Sequence, residues 1–595
     1  MTTTPVRVDR YDGLQTVDYV VVAVYFACVL LLGYYFSKRQ KSADEYFLAG
    51  RKMPWFVVGL SMYASLLSTI AYLSEPGEFI KNGIGVWGRQ MHVPFSVAVA
   101  VLILVPFFMR KRLTSAYEYL EEQYGLGARL FGSTLFLCIR LSMMGMIVYT
   151  AAIAMSKMAD LPFTWVVLGV GVIAVVYTVL GGMRAVMWTD LVQFIILFGG
   201  LLFTIGYIFV DTGTGPVTWL QDILAADHEP QPFFRLDPYV RVSVLGMAIY
   251  AFVWWVSTCG SDQLMVQRYL ATGSLRAARR SILANQAADV SVGILLGLGG
   301  IALYSYYKAQ LPGTPDEVFP HFIAHTLPRG LAGLVVAALF STAMAALDSS
   351  MHGVATVLTV DFVGRFRKDP LSQKSQLRLA RFFTLGAGIY AVLFCLFLNT
   401  IPEGSRGNIF DLTTRIIAYV IGTLGGMFVA AFLKFRASAA AMVLAAFLGL
   451  GTGFYLSLGH WFQDHPDVFL YVLEEGEEPT RWTPLAETPN TIGSSPGDNR
   501  FVLTGEGVAP RHAGVERTPE GWSIRALAED AEIRVNESSG SPALIAPDDV
   551  VTLGSRRLLV RLKAVSWMWP LPVSFFVTLL ATLILGWLSV FKRRS

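Results

Sequence analysis

The sequence predicts an all-α polytopic membrane protein with one small β insert, and three observations lead there. Of the 595 residues, 54% are hydrophobic and only 15% charged, with a mean hydropathy of +0.52. Apolar runs of about 20 residues, enough to cross a bilayer as a helix, recur from Val17 almost to the C-terminus. One long polar segment, 461–563, interrupts them late in the chain. The net charge of +4 is small and comes largely from Lys and Arg beside the apolar runs. That placement orients helices in a lipid bilayer and excludes a nucleic-acid partner.

Taken in order, the runs place spans near 18–36, 54–75, 91–109, 130–156, 161–180, 187–210, 243–266, 280–306, 331–358, 379–400, 409–433, 438–458 and 567–590, about thirteen in all. The first run lacks a small-residue cleavage site and reads as a retained helix. Threading from an outside N-terminus collects Lys38/Arg39, Arg110/Lys111, Arg268/Arg276/Arg279/Arg280, Arg365/Arg367, Lys434/Arg436 and Lys592/Arg593 on one side. The positive-inside rule makes that side, with the C-terminus, cytoplasmic. The cell (inner) membrane is the expected location. Cys28, Cys138, Cys259 and Cys395 all fall inside apolar runs without a paired motif, so they read as packing residues.

The same threading puts 461–563 outside. It opens acidic and Pro-rich (Glu474, Glu475, Glu477, Pro479, Pro484), as a linker does. The stretch from Trp522 to Leu562 alternates apolar and polar residues between turn formers and reads as a small β domain. The run from Val535 to Val560 resembles the end of a forkhead-associated β-sandwich, although an outside location argues against phosphothreonine binding. An accessory module with a protein partner and a plain spacer both stay open.

Chemistry is expected where apolar spans are interrupted, because broken helices expose backbone carbonyls and helix ends inside the membrane. The second span carries Ser61, Ala64, Ser65, Ser68 and Thr69 before Ser74-Glu75-Pro76-Gly77. The seventh carries Trp255, Ser257, Thr258, Gly260, Ser261 and Asp262, either a break or an ordinary helix end. The ninth carries Ser341, Thr342, Asp348, Ser349 and His352. An intramembrane carboxylate is costly and marks an ion path or a partner. Asp348 beside Ser349 suits a hard monovalent cation or a buried hydrogen bond. Asp190, after the Gly181-Gly182 pair, suits an ion route or a salt bridge to Arg184. Arg89, Gln90 and His92 at the mouth of the third span, with Arg140 in the fourth, are candidates for an anionic solute. Arg140 pairing with a carboxylate is the alternative.

These residues resemble the sodium:solute symporters, and most the branch of monocarboxylate, multivitamin and iodide carriers. The matching stretches are EYFLAGRKMPWFVVGLSMYASLLS, LSEPGEF, RLTSAYEYLEEQYG, LGGMRAVMWTDLVQF, QRYLATGSLRAARRS and ATVLTVDF, within roughly 15–455. The resemblance implies a LeuT-like core of inverted repeats working by alternating access, with sodium raising the population of the solute-binding state. It divides the chain into an N-terminal tail and extra first helix (1–53), a ten-helix transport core (54–435), an additional helix (436–460), the outside linker and β domain (461–563), and a final helix with cytoplasmic tail (564–595).

Matched motif by motif, the resemblance places sodium ligands at Ala64, Leu67 and Thr342, and an exit-path carboxylate at Asp190. Two hydroxyl ligands are expected next, where this chain has Ala345 and Ala346. Asp348 and Ser349 are the candidates for a displaced site. Candidate solute contacts are Ser65, Ser68, Arg89, Gln90, His92, Trp255 and Thr258. The expected function is sodium-coupled symport of a small organic solute, such as a monocarboxylate or other anion. Proton-coupled or uncoupled transport and a transporter-like sensor are the alternatives. An enzyme is not expected, nor any cofactor beyond the coupling sodium ion.

Overall fold

The computed structural model describes residues 10–591 apart from 12, 38–41, 112, 160, 227–242, 308–310, 370, 402, 459–467, 474–482, 485–489, 496–498, 500, 504–505, 519–520, 529–530, 537, 540, 546–548 and 563–567. They form two compact units. The helical unit runs to Ala226, from Val244 to Gly453 and on from Pro570; the other holds Ser243, Phe454–Trp569 and all the strands.

The helical unit comprises α1 (Thr16–Ser37), α2 (Ala43–Leu48), α3 (Trp55–Leu66), α4 (Thr69–Asn82), a 3₁₀ stretch (Gly83–His92), α5 (Val93–Val99), α6 (Val105–Arg110), α7 (Glu118–Tyr124), α8 (Leu126–Ala159) and α9 (Phe163–Thr212). It continues through α10 (Pro216–Leu224), α11 (Val244–Ser261), α12 (Gln263–Leu270), α13 (Leu275–Tyr307), α14 (Pro315–His325), α15 (Leu331–Val357), a short α16 (Gly364–Phe366), α17 (Gln373–Thr400), α18 (Glu403–Phe432), α19 (Ala439–Leu458) and α20 (Pro570–Phe591).

Among the described residues eleven helices are long and apolar enough to cross a membrane. The spans expected at 161–180 and 187–210 are two helical segments of α9 joined at a kink, where Gly182 (φ 52°, ψ −165°) is not helical. That backbone region is open only to glycine. The span expected at 54–75 is divided instead, into the 12-residue α3 and α4. Helix α15 is buried along nearly its whole length. Its Ala, Gly and Ser residues let α8, α9 and α17 approach closely, as small residues do between membrane helices. Helix α3 packs on α9 and α13. Of the cysteines, Cys259 and Cys395 are buried, but Cys28 and Cys138 are exposed. They lie on the outward faces of α1 and α8, whose neighbouring Val29, Phe136 and Ile139 are buried, so those two cysteines are not core packing residues.

The second unit is a β-sandwich of β1 (Val468–Leu473), β2 (Thr483–Pro484), β3 (Asn490–Gly493), β4 (Phe501–Val502), β5 (Ala513–Thr518), β6 (Gly521–Ala526), β7 (Ile533–Val535), β8 (Ser538–Ser539), β9 (Ala543–Ile545), β10 (Val550–Leu553) and β11 (Arg556–Leu562). One sheet has the order β2-β1-β11-β10-β7-β8 and the other β4-β3-β5-β6-β9. Leu470, Ile492, Val515, Trp522, Val551 and Val560 meet in one core between them. Five strands, β1 to β5, lie before Trp522, where the β domain was expected to begin. There the apolar run VFLYVL pairs with β11, from Val468 opposite Leu562 to Leu473 opposite Arg557.

Candidate cation and solute site

Two helices stop and restart inside the helical unit. In α3 the hydrogen-bond ladder runs to Leu67 N–H, which donates to the Tyr63 carbonyl at 3.1 Å. Leu67 (φ −74°, ψ 121°) and Ser68 (φ −92°, ψ 156°) are then extended, and the Ser68 side chain caps α4 by accepting from Ala71 N–H at 3.1 Å. Serine competes for backbone groups in this way, which is why the run Ser65-Leu66-Leu67-Ser68-Thr69 breaks here. The second break is at Asp262 (φ −81°, ψ 119°), whose Oδ1 accepts from Leu264 N–H at 3.0 Å to cap α12. Asp262 is therefore a break residue and not the end of the span.

Beside the first break lies a buried polar cluster. Ser61 Oγ donates to Asp190 Oδ2 at 2.6 Å, and Ser65 Oγ stands 3.4 Å from the same oxygen. Ser349 Oγ lies 2.9 Å from Ser65 Oγ and 3.0 Å from Asp348 Oδ1. Tyr177 OH donates to Asp348 Oδ2 at 2.5 Å. From α12 the Arg268 guanidinium reaches in: Nε donates to Ser61 Oγ at 2.9 Å and Nη2 to Asp190 Oδ2 at 3.3 Å, while Nη2 also bonds Ser349 Oγ. Asp190 and Asp348 are 0% exposed and Arg268 1%. Asp190 Oδ1 has no protein partner. The cluster thus holds two carboxylates and one guanidinium, which pairs with Asp190.

The placement of α15 explains the two alanines. Thr342 Oγ1 lies 2.9 Å from Thr69 Oγ1, on the α4 side of the break, and Ser349 faces Ser65 on the α3 side. Ala345 and Ala346 are therefore level with the break, and Ala346 packs beside Ile147 and Ala151 of α8. The side-chain oxygens stand one turn to either side. Ala64 and Leu67 are both buried at the end of α3.

The remaining candidates divide. His92 is buried, stacks on Trp255 (centroids 6.3 Å apart, planes at 22°) and places Nδ1 2.9 Å from Ser96 Oγ. Thr258 is buried, and Gln90 Oε1 is enclosed without a partner. Arg89 is already ion-paired with Glu75, and Arg140 with Asp262. Of the two alternatives for Asp190, the bridge to Arg184 is not formed: Asp190 pairs with Arg268, and Arg184 turns to the Ala49 carbonyl at 3.3 Å.

Ser61, Tyr177 and Arg268 belong to the cluster but were not among the sequence candidates. The sequence groups Arg268 with the basic residues of the cytoplasmic side; the structure buries its side chain against α3, α9 and α15. The hint available was its position two residues short of the end of α12, directly after an intramembrane break.

Comparison with known proteins gives the class. The model of the sodium:solute symporter family matches residues 46–449. The chain belongs to that family. It is 28% identical over 455 residues to the sodium/sialic acid symporter NanT of Aliivibrio fischeri, covering 74% of this chain and 88% of that one. It is 29% identical over 456 residues to the sodium-dependent multivitamin transporter of Oryctolagus cuniculus, covering 74% and 70%. A solved substrate-bound, outward-open Na⁺-coupled sialic acid symporter superposes with a TM-score of 0.69 at 26% identity, covering 75% of this chain and 93% of that one. The helical unit thus has the LeuT-like inverted-repeat core, and the chain is a sodium-coupled symporter of a small organic solute.

Proposed function

We propose that the coupling sodium ion binds beside the first helix break, with Asp190, Ser65, Asp348 and Ser349 as side-chain ligands and the ends of α3, at Ala64 and Leu67, supplying carbonyls. One observation carries the reading: Asp190 Oδ1 is fully buried without a partner, in a cluster whose side chains present oxygen. A desolvated hard cation needs that many oxygens in place of water. Asp348 makes up in charge what Ala345 and Ala346 lack in hydroxyls. Thr342 is kept as a ligand candidate through its carbonyl.

The solute is proposed to be a small organic anion, lying between the two breaks against Ser68, Gln90, His92, Trp255 and Thr258. Relatives named for sialic acid and for monocarboxylates support an anion. In this chain its carboxylate exchanges with Glu75 for Arg89, which is one-third exposed. The β unit is proposed as an extracytoplasmic accessory module for a protein partner, on a topology with the N-terminus outside and the C-terminus in the cytoplasm. That orientation rests on the distribution of Lys and Arg.

The test is binding of radioactive sodium to the purified protein, wild type against Asp190→Ala and Asp348→Ala. Saturable binding lost in both variants supports the cage; binding unaltered in both sinks it. Sodium-driven uptake of labelled monocarboxylates and sialic acid into proteoliposomes then sorts the solute.

A further inference from the structure

Arg268 is the cation among the described residues of the cluster, and it bonds three of the others. It donates to Ser61, Asp190 and Ser349, and through Nη1 to the Leu264 carbonyl of its own helix at 3.0 Å. Those partners come from α3, α9, α15 and α12, so one side chain ties four helices together. A cation buried in a membrane-helix bundle is held by carboxylates and backbone carbonyls, and among the described residues its ion-pair partner is Asp190. The fit is nonetheless incomplete. A guanidinium donates in one plane, and here it leaves Asp190 Oδ1 with nothing. A spherical ion can take ligands from every side, that oxygen included.

The helix carrying Arg268 is short, Gln263–Leu270, and starts at the Asp262 break. All of its residues are buried, and the bond from Arg268 Nη1 to the Leu264 carbonyl holds side chain and helix together. The oxygens Arg268 uses, Asp190 Oδ2 and Ser349 Oγ, are the ones a sodium ion would need, so the two cations exclude each other.

We propose that Arg268 is a tethered cation that closes the Asp190 cage in the state seen here, and that the coupling ion enters by displacing the guanidinium from Asp190 and Ser349. This rests on reading the cage as the ion site. Because Arg268 moves with α12, ion entry acts directly on the second helix break.

Sodium binding to purified wild type, Arg268→Lys, Arg268→Gln and Asp190→Asn protein at one fixed pH tests this. Lysine keeps the charge but loses the fork, so its apparent sodium affinity rises modestly. Glutamine removes the competing charge, and affinity rises roughly tenfold or more. Asp190→Asn abolishes saturable binding. Unchanged or weaker affinity in both Arg268 variants, with Asp190→Asn inactive in binding, overturns the tether and leaves the cage standing. Normal binding in Asp190→Asn overturns the cage itself. Should Arg268→Gln fail to fold, Arg268→Lys decides alone, since it leaves no carboxylate without a cation.

Discussion

Ser65 Oγ on α3 lies 2.9 Å from Ser349 Oγ on α15, so the first broken helix is fastened to its most deeply buried neighbour through two hydroxyls that also border the candidate cage. If both oxygens serve the cation, Ser65→Ala and Ser349→Ala should each raise the half-saturating sodium concentration for uptake by about tenfold, a ligand's worth of roughly 1.4 kcal/mol. Maximal uptake at high sodium should survive. An unchanged sodium dependence in both variants would remove these hydroxyls from the site.

A second buried ion cluster ties α8 to the segment after α15. Arg129 donates through Nε to Asp361 Oδ1 at 2.8 Å and through Nη1 to Glu121 Oε2 at 2.7 Å, while Ser115 Oγ donates to Asp361 Oδ2 at 2.6 Å. Asp361→Ala leaves a nearly buried guanidinium with one carboxylate partner. It should cost roughly 3 kcal/mol, toward the lower end for breaking a buried pair, because Glu121 remains. The double variant Arg129→Met/Asp361→Leu should cost less than Asp361→Ala alone. Denaturant unfolding in detergent compares the two; equal losses would mean that the unpaired charge is not the cause.

Glu121, on α7, gives a pH signature. Its hydrogen bond from Arg365, then that from Arg129, hold its carboxyl below the usual 4.5 against the opposing effect of partial burial. A carboxyl lowered in the folded state adds stability that is complete above its unfolded value and lost as pH falls through the folded value. Melting temperatures of wild type should therefore drop between about pH 5 and pH 3 more steeply than those of Glu121→Gln. Parallel curves would show that the Arg365 contact has no energetic role.

Gly182 and Gly169 share α9 and should respond oppositely to alanine. Gly182 holds φ 52°, whereas a Cβ at Gly169 meets nothing within 4 Å. Gly182→Ala should lose at least about 1 kcal/mol and impair transport by straightening the bend before Asp190. Gly169→Ala should be neutral or mildly stabilising, because alanine favours an unstrained helix. Thermal unfolding and uptake of the two variants side by side check this, and equal behaviour would count against a bend held by Gly182.

The bundle was legible because hydropathy is local: each apolar run announces its own helix. Asp190, Asp348 and Ser349 were legible for the same reason, as polar residues where apolar ones belong. Arg268 was not, since it stands before Arg276, Arg279 and Arg280 and only the packing of α12 against α3 and α15 takes it inside. The pairing of Arg89 with Glu75 was not legible either, because it joins the 3₁₀ stretch to the preceding helix α4 and depends on how the chain turns at Gly83. In the β unit, acidic and Pro-rich surroundings masked the strand Val468–Leu473, which its pairing with β11 makes plain.

That pairing bears on how such a chain is assembled over generations. The first and last strands of the sandwich lie side by side, with Val468 opposite Leu562, so the polypeptide enters and leaves the unit about 5 Å apart. A domain whose two ends lie close together is one that insertion into another chain tolerates. A cassette of that kind can be acquired, exchanged or discarded in a single recombination without retuning the transporter that carries it.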